Sequence, residues 1–90
     1  MSVKVRLHPH FYELAGGQET AEVEGKSVGE CLASLVIRFP DLEQELFGKA
    51  KKLHKYVEIF VNGKTTYPQE LAFPVKDGDE LSILILLAGG

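Results

Sequence analysis

One stretch of helical periodicity stands between two groups of alternating segments, and this restricts the fold more than any other feature of the chain. From Ser27 onward, apolar residues fall at Val28, Cys31, Leu32, Leu35, Val36 and Phe39, the stripe of an amphipathic helix. Ser27 and Glu30 have capping-box spacing at its start, and Pro40 stops it. Before the helix, Val3, Val5 and Leu7 alternate with Lys4, Arg6 and His8, and Ala21 and Val23 alternate with Thr20, Glu22 and Glu24. This is the period of half-buried strands. Phe11 to Ala15 and the Gly16-Gly17 turn join them as a hairpin with an enlarged connection.

Beyond the helix, Leu42, Leu46 and Phe47 predict a short helical turn closed by Gly48 in the C′ role. Val57, Ile59 and Val61 mark a third strand, and Asn62-Gly63 is a strong hairpin signal because both residues tolerate positive φ. Lys64 to Tyr67 forms the return strand, kept short by Pro68. A Lys76-Asp77-Gly78-Asp79 turn leads into the last strand, Glu80 to Leu87. Its near-continuous apolar run suits a central position with neighbours on both sides. A helix between two strand groups must cross one face of a sheet that they share. The expectation is an α+β fold of the ubiquitin-like β-grasp kind: a mixed sheet of four to five strands, with one main helix packed on one face. Residues 1–90 form one domain.

The chemistry available to such a chain is narrow. Cys31 is the only cysteine and lies on the apolar helix stripe, so it reads as a core residue. His8 and His10 flank Pro9, which ends their strand, and no third ligand follows at metal-site spacing. No metal site is expected. His54 stands among lysines, where solvation is the default. Gly16-Gly17 lacks a phosphate-loop frame, and no serine sits in a nucleophile elbow. No catalytic constellation emerges, and the chain reads as a carrier rather than an enzyme. A net charge of −3 weighs against nucleic acid as a partner. The lysines at 49, 51, 52 and 55 read as a solvated loop or, functionally, as a docking point for an acidic partner. The longest apolar run, Ile83 to Ala88, falls far short of the roughly 20 residues of a membrane span, and the N-terminus lacks a signal-peptide core. A cytoplasmic protein is expected.

The C-terminus is different. Ala88-Gly89-Gly90 follows the last strand directly and is expected to protrude from the sheet. Glycines without Cβ atoms can thread a narrow enzyme channel. The Gly90 carboxylate, with a reference pKa of about 3.3–3.7, is anionic at neutral pH and could attack the α-phosphate of ATP. A sulfur nucleophile would convert the resulting acyl-adenylate to a thiocarboxylate.

Across its whole length the chain resembles the MoaD/ThiS family of ubiquitin-like sulfur carriers. The resemblance rests on Phe11-Tyr12-Glu13-Leu14-Ala15-Gly16, the Ser27–Leu35 helix, Val75-Lys76-Asp77-Gly78-Asp79-Glu80-Leu81, and Ala88-Gly89-Gly90. Tyr12 stands where the family often has arginine, and Ile83 to Leu87 lacks the proline often found before the tail. Within the family, Lys52 to Asn62 with Gly16-Gly17-Gln18 resembles the CysO-type carriers of the thiocarboxylate route to cysteine. Phe11 to Gly16 resembles equally the small subunit of molybdopterin synthase. The resemblance implies Gly90 as the sulfur-carrying residue, with Gly89 and Ala88 threading the enzyme channel. It implies no bound cofactor, ATP being used by a ubiquitin-activating-like adenylyltransferase. The client would be a cysteine synthase-like enzyme or the large subunit of molybdopterin synthase. A lysine-conjugated protein modifier and a non-covalent interaction module are the alternatives.

Strand parity locates the partner surface. Leu81, Ile83, Ile85 and Leu87 face the helix, which leaves Leu84 and Leu86 on the open face, with Phe60 of the third strand sharing their side. The competing expectation is that the Leu42–Phe47 segment covers them.

Overall fold

The computed structural model describes residues 2–86. Five strands form one mixed sheet: β1 (Val3–Arg6), β2 (Thr20–Val23), β3 (Val57–Val61), β4 (Lys64–Thr65) and β5 (Glu80–Ile85), in the order β2-β1-β5-β3-β4. The last strand is central. It pairs parallel to β1 and antiparallel to β3, as its apolar run predicts. Helix α1 (Val28–Arg38) and the short α2 (Leu42–Leu46) complete the regular elements. The Phe11–Ala15 connection consists of two short 3₁₀ turns that bury Phe11 and Ala15.

Helix α1 begins where capping chemistry places it. Ser27 is extended, and its Oγ accepts the Glu30 N–H at 3.1 Å. The reciprocal bond differs from a standard capping box, because Glu30 Oε1 accepts from the Lys26 N–H at 2.9 Å, one residue upstream of the cap. Val28, Cys31, Leu32 and Leu35 are fully buried, whereas Val36 and Phe39 at the stripe's end are half-buried. Two side chains tie the helix to the β2 end: Ser34 Oγ donates to Glu24 O at 2.8 Å, and Arg38 Nη1 donates to Glu22 O at 2.9 Å. Alternate residues of β1, β3 and β5, the odd-numbered ones, face the helix, so Val3, Val5, Val57, Ile59, Leu81 and Ile83 close the core. Burying each contributes about 1.5–3 kcal/mol.

Three sequence expectations need correction. Gly48 does not cap α2 in the left-handed region; at φ −107° and ψ −140° it donates its N–H to Lys52 O at 2.8 Å and turns the chain into the lysine loop. β4 stops at Thr65 rather than Tyr67, since Thr66 turns inward and gives both its N–H and its Oγ1–H to Ile59 O. Leu42 and Leu46 join the main core on the helix side, so α2 does not cover the open face.

A buried carboxylate sets the entry to β5. Asp79 Oδ1 accepts from Asn62 Nδ2 at 3.0 Å, and its Oδ2 accepts from the Lys76 N–H at 2.9 Å. Asn62, at φ 52° in the hairpin turn, also takes the Glu80 N–H on Oδ1 and gives its own N–H to Glu80 O. The Asn62 bond first, then the Lys76 N–H, hold the Asp79 carboxyl below the ordinary range despite its burial. A carboxylate with a lowered folded-state pKa contributes stability above its unfolded pKa and loses it as pH falls through the folded value. Asp79→Asn is therefore expected to destabilise the neutral protein by about 1–2 kcal/mol. In urea melts, the gap between the two proteins should narrow once pH drops below about 3.9.

Candidate functional site

The sheet face opposite α1 changes character along β5. At its start the face is charged. Arg6 pairs with Glu80, Nη2 to Oε2 at 2.9 Å, with both side chains exposed, which makes this a weak contributor to stability. At its end the face is apolar. Leu84 is 41% exposed and Leu86, one residue past the strand, 51%, while Leu81 and Ile83 beside them are fully buried. Such contrast between alternate residues of a central strand is not needed for folding, since Leu84 and Leu86 gain little from burial.

The register shows what surrounds the patch. Glu58 of β3 lies directly opposite Leu84, and Phe60 lies opposite Ser82. Phe60 therefore sits one diagonal step from Leu84, within reach of a long side chain. It also pairs with Thr65 of β4 and is half-buried, so it flanks the patch rather than forming its exposed part. Leu86 is fixed by its N–H, which donates to Tyr56 O at 2.7 Å. Tyr56 is itself 43% exposed and extends the apolar surface. Strand alternation gives Tyr56 the parity of Glu58 and Phe60, but only the antiparallel β3–β5 register brings it beside the end of β5. Ala88, Gly89 and Gly90, with Leu87, lie outside the described residues.

The histidines are engaged in local contacts. Among the described residues, no group of three His, Cys, Asp or Glu side chains could hold a metal. His8 caps the first 3₁₀ turn, its Nδ1 accepting the His10 N–H at 3.0 Å, and His10 approaches Glu45 at 3.4 Å. His54 is not solvated as expected. It is half-buried, stacks on Tyr56 at 4.9 Å and 11°, and contacts Gln44 O through Nε2 at 3.0 Å. No helix among the described residues is long and apolar enough to cross a membrane.

Comparison with known proteins places this geometry. A ThiS family model matches residues 5–90. The sulfur carrier protein CysO of Mycobacterium tuberculosis is 30% identical over 93 residues, covering 100% of this chain and 96% of the relative. The crystal structure of SAMP1 from Haloferax volcanii superposes with a TM-score of 0.84 at 30% identity, covering 100% of both chains. A chain of the Amycolatopsis orientalis BexX/CysO complex superposes with a TM-score of 0.87 at 30% identity, covering 98% of this chain and 99% of that one.

Cys31 is the one nucleophile that the fold removes from use. It is fully buried, and burial first, then the nearby Glu30 carboxylate, push its thiol pKa up. A thiol so placed is neutral and inaccessible at pH 7. Cys31→Ala is expected to cost about 1 kcal/mol of stability and leave the native circular-dichroism spectrum unchanged. In the native wild-type protein, the thiol should react with a disulfide reagent only at the rate of global opening.

Proposed function

The chain belongs to the ThiS family, the MoaD/ThiS type of ubiquitin-like sulfur carrier, and from this footing we propose that it carries sulfur as a thiocarboxylate on Gly90. The supporting observation is the exposed pair Leu84, on the central strand, and Leu86, just past its end, one residue before the Ala88-Gly89-Gly90 segment and within the family match, which runs to residue 90. A carrier needs a surface that an enzyme can grip next to the group that reacts. In this fold, parity supplies one.

The reaction runs in two displacements. A Gly90 carboxylate oxygen attacks the α-phosphorus of ATP on an adenylyltransferase of the ubiquitin-activating type, and pyrophosphate leaves. A nucleophilic sulfur then attacks the acyl-adenylate carbon, and AMP leaves with the electron pair of the broken C–O bond. The thiocarboxylate passes to a client, a cysteine synthase-like enzyme or the large subunit of molybdopterin synthase. The CysO relatives favour the first. Gly89 and Ala88 present little side chain to the enzyme channel. Leu84 and Leu86, flanked by Phe60, dock first on the activating enzyme and then on the client. No step draws on a side chain of this protein as acid, base or nucleophile.

The small archaeal modifier protein 1 of Haloferax volcanii, 30% identical over 87 residues, favours a second reading, in which the activated Gly90 is captured by a lysine amine. Intact mass from the native host separates the two. A carrier is heavier by the difference between sulfur and oxygen, whereas a modifier appears in high-mass conjugates.

Deleting Gly90 should abolish ATP–pyrophosphate exchange by the cognate adenylyltransferase and leave the circular-dichroism spectrum unchanged; full exchange by the truncated protein would overturn the assignment. Separately, Leu84→Glu combined with Leu86→Glu should leave the melting temperature nearly unchanged, because both side chains are exposed. The same variant should weaken binding to both enzymes by tenfold or more, on the order of 1.4 kcal/mol.

A further inference from the structure

A second surface lies around the edge of β3 from the open face. β4 pairs only with Phe60 and Val61, so among the described residues the first half of β3 has no strand on its outer side. There a groove of about 710 Å³ opens between residues 52–57 and 67–72. Leu53, Val57, Pro68 and Leu71 give it an apolar lining, with Lys52 and Lys55 also on its wall. Its size falls within the range of about 300–1,000 Å³ typical of ligand clefts. Tyr67 also lines it and is 69% exposed, an aromatic lip with no aromatic partner among the described residues.

The loop along one side of this groove runs against the charge of the whole protein, whereas the groove's own wall balances Lys52 and Lys55 with Glu58 and Glu70. The chain carries a net charge of −3, yet four of its ten basic residues fall within residues 49–55, and no acidic residue stands between 46 and 57. Lys49, Lys51, Lys52 and Lys55 are all exposed. Ion pairs among the described residues engage Arg6, His10 and Lys76, and none of these four. The loop that carries them is held in shape. Gly48 N–H donates to Lys52 O at 2.8 Å, His54 N–H donates to Leu46 O at 2.9 Å, and the His54 ring is clasped between Gln44 O and Tyr56. Ala50 and Lys51 both sit in the left-handed region at φ 58° and 56°, a strained conformation that persists only where surrounding contacts enforce it. Unpaired cations on a preformed loop bind an anionic partner with little ordering cost.

We propose that this groove docks an extended segment of a partner protein that presents acidic residues to Lys52 and Lys55 and an apolar side chain to Leu53, Val57 and Leu71. Glu58 and Glu70 also line the groove, which sets the polarity: the segment's carboxylates lie at the lysine side and its uncharged part against the two glutamates. The groove adjoins the open face, because Glu58 is the direct cross-strand neighbour of Leu84 and Tyr56 holds the Leu86 N–H. One partner can therefore cover both. The groove itself requires nothing of the Gly90 chemistry.

The test uses the full chain and a fluorescein-labelled peptide in which aspartate and glutamate precede a Leu-Phe pair. Amide shifts should concentrate in residues 52–57 and 67–72, and affinity should fall as salt rises. Lys52→Glu with Lys55→Glu should weaken binding about tenfold or more. Ala72→Arg is the decisive variant, since Ala72 is exposed and lines the groove. It adds a cation while filling the space, so a peptide seated in the groove binds more weakly and one attracted only by charge binds more tightly. The second result overturns the proposal, as do shifts confined to Leu84 and Leu86, absence of binding, or equal affinity for a poly-uridylate oligonucleotide. The Gly90 deletion should bind the peptide as the full chain does, which separates this surface from the tail reaction.

Discussion

The sheet holds together through one strand. β1–β2 and β3–β4 are two hairpins, and an isolated two-stranded hairpin is marginally stable at best. β5 joins them, parallel to β1 on one side and antiparallel to β3 on the other. Its pairing with β1 spans nearly the whole chain, from Lys4 opposite Glu80 to Arg6 opposite Ser82. Such non-local contacts are costly to close and are rewarded late. Helix α1 can cover its face only when all three inner strands are aligned, because Val5, Ile59, Leu81 and Ile83 belong to different strands yet to a single core.

The same strand explains which parts of the structure could be read from residue order. Periodicity speaks for elements whose faces differ, and here it located all five strands, α1 and the split of β5 into buried and exposed positions. Asn62-Gly63 carried its own turn chemistry, and both residues take the positive φ values that the pair permits. Features decided by tertiary contacts were not legible. Gly48 has glycine's usual position after a helix, but the His54 ring stands where its Cβ would be, within 3.0 Å. Its lack of a side chain serves that packing and not a left-handed cap. His54 looked solvated because its neighbours in sequence are lysines, whereas its neighbours in space are Gln44 O and Tyr56.

The candidate surfaces divide in the same way. Leu84 and Leu86 follow from parity alone, because alternation in a strand covered on one side dictates which residues face outward. Phe60 shares that parity but is half-buried, since the β4 return strand at Thr65 crowds it. The lysine run at 49–55 already offers a docking point for an acidic partner in the sequence, but the groove beside Lys52 and Lys55 has no counterpart in any periodicity. It arises where β4 ends early and two irregular segments, 52–57 and 67–72, face each other. Neither segment has a period, so their meeting is a consequence of the β3 edge and not of local preference.

Fold and surface are finally coupled through register. A strand displaced by one residue exchanges its two faces. In β5 that shift would bury Leu84 and expose Leu81 and Ile83, losing core contacts and the exposed apolar patch together. The Asp79–Asn62–Glu80 cluster opposes this slip at the strand's first residue. Asn62 holds both the N–H and the O of Glu80, and Asp79 holds Asn62 by its side-chain amide. At the far end, the Leu86 N–H donates to Tyr56 O at the last described residue. Four residues remain from there to Gly90, a reach of at most about 14 Å when extended. An enzyme that acts on Gly90 must therefore approach to within that distance of Leu86, where Leu84 and Tyr56 are already exposed. The clamp at one end of β5 keeps in register the exposed apolar surface at the other.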